Sequence, residues 1–238
     1  MINNREIKLI NSLKRKKNRI EEGLFVVEGE KNVEELLHSN FQTIRIYATN
    51  DWSNQIEHIK VSVKELDRIS SLSTPNRVLA LVKIPKQESI NTSITSLVID
   101  GVNDPGNLGT IIRTANWFGI SQVICSNDSV DKFNPKVIMS SMGSIFKTNV
   151  LYTDLHKFLT DSNLPIYGAL LEGEPLYNVK LNNPCSLLLG SESHGISKEL
   201  IPLITNKTTI PGGENTESLN LGVSAAIYCS EYFKQNSI

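Results

Sequence analysis

From Ser96 onward the chain repeatedly sets a short, largely apolar run against a segment of helical spacing. The runs are SLVID, QVIC, IYGALL and CSLLLG, and the helical segments fall near 107–118, 134–142, 154–161 and 197–204. A strand with no polar alternation must be covered on both faces, and helices between such strands supply the cover, so a parallel α/β sheet is expected. Ligands of open parallel sheets sit at the carboxyl ends of the strands. The loops after Asp100, Leu171, Gly190 and Pro211 are therefore where a site is expected.

The first 90 or so residues carry a different pattern. Ile7, Leu9, Ile10 and Leu13 recur at near-helical spacing, LFVVEG reads as a strand, EKNVEELLHSN as a helix, TIRIYAT as a strand, VSVKELDRISS as a helix and RVLALVKI as a strand. This is a small α/β module. The polar, Pro-containing KIPKQESINTS follows it, so the junction is expected near Asn91 to Thr95, dividing the chain into 1–92 and 93–238. The segment SLNLGVSAAIYCSEYFK reads as a long terminal helix with Leu219, Val223, Ala226, Ile227 and Ser230 on its apolar side.

Charge is distributed unevenly. The formal net charge is −1, yet residues 1–20 hold seven Lys or Arg against one Glu, which makes that segment +6 and leaves −7 elsewhere. Lys14, Arg15, Lys16, Lys17 and Arg19 form its basic core, either a solvated helix face or a contact for RNA phosphates. Cys125, Cys185 and Cys229 are odd in number, far apart and without CxxC spacing, so neither a disulfide framework nor a zinc site is expected. No apolar run reaches the roughly 18 residues that span a bilayer, and the first residues lack the apolar core of a signal peptide; the cytoplasm is the expected compartment, without a membrane partner.

Three polar clusters occupy the expected loops. In NDPGNLGTIIRTANWFG, Gly106 and Gly109 are spaced GxxG rather than GxGxxG, which argues against a nicotinamide oxidoreductase. Arg113 stands out on a helix of mostly apolar or small residues, whereas Trp117 and Phe118 read as core packing. In LLLGSESHGISKEL, Glu192 follows a strand end, His194 reads as a surface imidazole, and Ser197 can cap a following helix. In TTIPGGENTESLNLGVSAA, Ser218 reads as an N-cap and Asn220 falls inside the first helical turn.

Taken in this order, the three clusters resemble motifs one, two and three of the SpoU/TrmH class of SPOUT RNA methyltransferases over residues 95–235. Residues 1–92 resemble, less specifically, the small α/β substrate-binding domain that often precedes this catalytic domain. The resemblance implies S-adenosyl-L-methionine as cofactor, a ribose 2'-hydroxyl as acceptor, a homodimer, and a parallel sheet with helices on both faces and a deep trefoil knot. By motif position it implies Asn107, Arg113, Glu192, Ser218 and Asn220 as catalytic residues, and Leu170, Gly190, Ile210 and Leu219 as cofactor contacts. It implies no metal.

Methyl transfer from a sulfonium is an in-line displacement, so the protein must align hydroxyl and methyl and exclude water. A planar guanidinium at Arg113 suits the phosphate beside the target ribose. It suits proton removal poorly, because a guanidinium does not give up its proton in proteins. The accessory module favours large-subunit ribosomal RNA as substrate; transfer RNA, or a non-catalytic RNA-binding role in ribosome assembly, are the alternatives.

Overall fold

The structure, a computed structural model, describes residues 2–53, 55–86, 88–213 and 217–237. Of the third polar cluster, residues 214–216 lie outside the described residues. The chain divides into two compact units, Met1–Lys86 with Asp131–Phe146, and Gln87–Val130 with Lys147–Ile238.

The first unit runs α1 (Asn4–Ser12), α2 (Lys16–Glu22), β1 (Leu24–Glu28), α3 (Glu30–Leu37), β2 (Thr43–Ala48), β3 (Ile59–Lys60), α4 (Val63–Asp67) and β4 (Val78–Lys83). Local chemistry fixes the boundaries. Asn3 and Ser62 open α1 and α4 with reciprocal capping boxes to Glu6 and Glu65. Gly23 ends α2 in the left-handed region at φ 64°, which a residue with a Cβ rarely enters. The sheet order is β1-β4-β2-β3, antiparallel except between β2 and β3. Ile7, Ile10 and Leu13 of the first helical stretch bury against Val26, Leu79 and Leu81 of the sheet.

Residues 131–146 belong to this unit by contact although they lie far along the chain. Phe133 stacks on Phe25 with ring centroids 4.3 Å apart, and Phe146 meets Phe41 edge-on at 5.2 Å. Asp131 pairs with Arg19, whose Nε and Nη2 donate to its Oδ2 at 2.9 and 2.5 Å.

The second unit carries β5 (Ser96–Asp100), α5 (Pro105–Trp117) and β6 (Gln122–Ser126); after α6 (Pro135–Ser141), which lies in the first unit, it resumes with β7 (Asn149–Thr153), α7 (Leu155–Asp161), β8 (Ile166–Pro175), β9 (Ser186–Gly190), β10 (Asn206–Thr209) and α8 (Leu221–Ser237). Its six strands are all parallel, in the order β10-β8-β9-β5-β6-β7. The apolar runs at β5, β6 and β9 are buried almost throughout, which is the both-faces burial their composition requires. From edge strand β10 the chain turns back, so that α8 packs against β9 and α5.

Three expectations change. The helix expected at 197–204 is a set of turns with one 3-10 turn at Ile201–Leu203, because Pro202 cannot donate to a helical ladder. Ser197 caps nothing there: its backbone N–H and hydroxyl both donate to Asp100 Oδ2, at 2.7 and 2.5 Å. The side of α8 read as apolar is not its buried side, and Ala226 and Ile227 on it are only half-buried. Val223 is 48% exposed and Leu219, just before the helix, 45%, whereas Leu221, Ala225, Tyr228 and Cys229 are buried.

Candidate active site

All nine residues singled out for catalysis and cofactor contact lie in the second unit. Strand β5 delivers the chain to Asp104, whose carboxylate accepts the Asn107 N–H at 2.9 Å and caps α5, with Pro105 in the first helical turn. Asn107 is therefore inside the first turn and Asp104 starts the helix. Aspartate directly before proline is a helix-start signal that the sequence displays openly.

Glu192 sits just past the end of β9. Its Oε1 accepts Nδ2 of Asn107 at 3.0 Å, Nδ2 of Asn220 at 2.5 Å and the backbone N–H of Leu221 at 3.2 Å. Asn220 Nδ2 also donates to Asn107 Oδ1 at 3.1 Å. The Asn220 Oδ1 in turn accepts the N–H groups of Gly222 and Val223 at 3.0 and 3.3 Å. Asn220, not Ser218, thus caps α8, and the first three N–H groups of that helix find acceptors on two motif side chains. A carboxylate beside a helix N-terminus is also favoured by the helix dipole.

The three loops are consequently held by one clasp of Asn107, Glu192 and Asn220. Glu192 does not reach Arg113: among the described residues no hydrogen bond or ion pair joins them, so orientation of Arg113 by Glu192 is not what this geometry provides. Arg113 is exposed, on the outer side of α5 opposite buried Leu108, Ile111, Ile112 and Ala115. Trp117 follows one turn later at 81% exposure, so it is no part of the core; Phe118 does pack, 5.9 Å from Phe233. Ser218 is exposed beside the clasp.

Gly190 is the last residue of β9, Ile210 follows β10 directly, Leu219 lies two residues before α8, and Leu170 stands in the middle of β8. Leu170 lies two residues beyond the last β8 residue paired with β9. Gly190 is pressed against the loop that follows it, where Ser191 and Gly195 exchange backbone hydrogen bonds at 3.0 and 2.9 Å. A Cβ on Gly190 would fall 1.9 Å from the Gly195 carbonyl carbon, so only glycine allows that fold-back.

Beside the clasp, Asn107, Thr110, Phe118, Tyr177, Val223 and Ile227 line a groove of about 550 Å³ between α5 and α8. Its walls include the outer side of α8.

In the first unit, Lys14, Arg15, Lys16 and Lys17 are exposed, with Lys14 Nζ donating to the Ser70 carbonyl at 2.9 Å and Lys17 3.7 Å from Glu21. Arg19 departs from them. It is 2% exposed, pairs with Asp131 and donates from Nη1 to the carbonyls of Leu13 and Lys14, so its guanidinium is committed internally and it leaves the set of candidate phosphate contacts.

Comparison with known proteins gives this geometry relatives. The pattern of the SpoU rRNA Methylase family matches residues 94–230, and that of the MRM3-like substrate binding domain matches residues 4–80. The 23S rRNA (guanosine(2553)-2'-O)-methyltransferase RlmP of Bacillus subtilis is 31% identical over 94% of both chains. A solved RNA methyltransferase structure assigned to the TrmH family, from Porphyromonas gingivalis, superposes with a TM-score of 0.90 at 35% identity, covering 99% of this chain and all of that one. An AdoMet-bound rRNA methyltransferase from Sinorhizobium meliloti does so at 0.87 and 25% identity, covering 99% and 97%. With its three loops clasped as described and the family pattern matched across more than half its length, the chain belongs to the SpoU rRNA methylase family.

Proposed function

We propose that the protein transfers a methyl group from S-adenosyl-L-methionine to a ribose 2'-hydroxyl in large-subunit ribosomal RNA, in the cytoplasm. The observation that carries this reading is the clasp of Asn107, Glu192 and Asn220, together with an Arg113 on the same helix α5 as Asn107 that is exposed and has no partner among the described residues. The Bacillus relative, named as a 23S ribosomal RNA enzyme and aligned over 94% of both chains, supports the choice of RNA.

Leu170, Gly190, Ile210 and Leu219 would hold the cofactor, largely through main-chain groups, and when bound it supplies an electrophilic methyl on a sulfonium. The chain's own work is positioning. Arg113 offers two parallel donors to the phosphate beside the target ribose, which sets the hydroxyl in line for displacement. Ser218, exposed next to the clasp, offers a neutral donor and acceptor to the ribose. Asn107, Glu192 and Asn220 keep the start of α8 fixed, so the contacts of Leu219 and Ser218 do not drift.

Residues 1–92 are taken to grip the RNA and 93–238 to carry the transfer. Lys14, Arg15, Lys16 and Lys17 supply phosphate contacts in the first of these. A second copy of the chain is taken to cover the α5–α8 groove, making a homodimer, because Val223 and Tyr177 there are too exposed for an isolated surface. Mapping 2'-O-methyl positions in RNA from a deletion strain against its parent tests the substrate: one ribosomal mark is expected to vanish. Loss of a transfer RNA mark alone would assign the enzyme to transfer RNA instead.

A further inference from the structure

The first unit holds a groove of about 440 Å³ that none of the transfer chemistry uses, within the roughly 300–1,000 Å³ typical of small-molecule sites. Strand β1, the segment after Ser70 and helix α6 form it. Val26, Leu72 and Met139 give apolar walls, Glu28 and Ser71 a polar end, and Lys136 an exposed cation at the rim.

Glu28 is the unusual member. It is 7% exposed, and among the described residues its carboxylate accepts two hydrogen bonds: Ser70 Oγ donates to Oε2 at 2.5 Å and the Ser71 N–H to Oε1 at 2.8 Å. A carboxylate has about four acceptor sites, so each oxygen keeps one beyond these bonds. A buried carboxylate left half-used at the end of an apolar groove asks for a ligand that presents two neighbouring donors. Met139 is steadied by Asn32, whose Nδ2 reaches its sulfur at 3.4 Å, and a thioether packs well on an aromatic ring.

We infer that this groove takes an unpaired guanine base of the substrate RNA, a nucleotide additional to the one methylated. Guanine is the only common base with two adjacent donors, N1–H and the 2-amino group, on its pairing edge. Adenine and cytosine set a ring acceptor beside their amino group, and uracil flanks its single N–H with carbonyls, so each would press a lone pair toward Glu28 or leave one oxygen unmet. Stacking between apolar walls with hydrogen bonds to the pairing edge is how unpaired RNA bases are read. Lys136 then faces the attached phosphate. The inference rests on the RNA-methyltransferase reading for the source of the guanine, although the groove's chemistry does not.

The test uses the full chain with isotopic labels and titrates GMP, IMP, AMP, CMP and UMP while following the amide signals of Glu28, Ser71 and Met139. GMP is expected to move them, and IMP, which lacks the 2-amino donor, to bind about tenfold more weakly, the scale of one hydrogen bond to a charged group. Glu28→Gln is expected to weaken GMP by a similar factor. Should that variant unfold, Lys136→Ala decides with the base series: it weakens GMP and leaves guanosine unchanged. A single-stranded oligonucleotide containing one guanosine is expected to compete with GMP, and its inosine counterpart to compete poorly. Equal binding of all five nucleotides, or none, overturns the inference; GMP binding without competition by the oligonucleotide overturns RNA as the source. Methyl transfer measured on the same preparation separates the two claims. Transfer without GMP binding removes the guanine site and leaves the enzyme, and GMP binding without transfer to any RNA does the reverse.

Discussion

Glu192 Oε1 and Asn220 Nδ2 lie 2.5 Å apart across 28 residues, and through that hydrogen bond the end of β9 holds the start of α8. The carboxylate's two further partners, Asn107 and the Leu221 N–H, make it the hub of the site. Its removal should be felt in structure before it is felt in chemistry.

For Asn220→Ala we expect a loss of about 1 kcal/mol, the usual cost of an N-cap, and for Glu192→Ala about 1–3 kcal/mol, as the penalty of unsatisfied donors is softened by exposure. Urea unfolding followed by circular dichroism measures both. Both should also weaken S-adenosyl-L-methionine in calorimetry, because Leu219 precedes the helix they anchor. Arg113→Ala should change stability by less than about 0.5 kcal/mol, being an exposed side chain without partners among the described residues. An Arg113→Ala protein that unfolds more readily than Glu192→Ala would overturn this assignment of parts.

The basic residues near the N-terminus should separate into two kinds. Lys16→Ala or Arg15→Ala should leave stability alone and lower the salt slope of RNA binding by about 0.7–0.9 for each phosphate the shortened side chain no longer reaches. Arg19→Ala should instead cost about 3 kcal/mol, since it strands Asp131 after removing its nearly buried partner. Equal salt slopes for the wild type and all three variants would remove this segment from the RNA-binding surface.

Gly190→Ala should be among the most damaging single changes. A methyl placed 1.9 Å from the Gly195 carbonyl carbon must displace main chain, not a side chain, so the cost should exceed the roughly 1–3 kcal/mol usual for overpacking. Thermal unfolding and cofactor calorimetry are the readouts, and both are expected to collapse. Gly212→Ala, with nothing among the described residues within 4 Å of the added methyl, is the matched control.

Alkali should unfold the protein over a defined window. Burial pushes the thiols of Cys185 and Cys229 from 9.0 up to about 12, and burial likewise raises the phenols of Tyr47 and Tyr228 from 10.0 to about 12. These groups are neutral when protonated, so their contribution is complete below the unfolded values and is lost as pH climbs toward the folded ones. Stability should therefore hold from about pH 7 to 9 and fall with increasing slope between about pH 9 and 12. Tyr228→Phe keeps the ring, gives up the 2.8 Å bond to Thr208 Oγ1, and should make the decline above about pH 10 shallower.

The placement of these parts shows which physics a sequence carries openly. Both-faces burial of SLVID and CSLLLG is written in their composition, and the three loops carry their motif spacing, so the sheet and the residues at its carboxyl ends are legible. Partnerships across long separations are not. Nothing near Arg19 announces that Asp131, 112 residues later, takes its charge, so the basic run looks uniformly available. Helical spacing likewise marks an apolar stripe on α8 without saying whether this chain covers it. The expected helix at 197–204 fails for a local reason, Pro202, which its apolar periodicity conceals. The clasp itself needs coordinates, since the bonds that tie Asn220 to Glu192 and Asn107 join residues 28 and 113 positions apart.

The most direct measurement of the central claim incubates the purified chain, and its Arg113→Ala variant, with methyl-labelled S-adenosyl-L-methionine and unmodified ribosomal RNA, then digests the RNA to nucleosides. The account predicts label in a single 2'-O-methyl nucleoside for the wild type, and a loss of at least about a thousandfold for Arg113→Ala, the scale of about 4 kcal/mol of transition-state positioning, with cofactor affinity retained. Label on a base, or an Arg113→Ala variant that transfers at the wild-type rate, would contradict it.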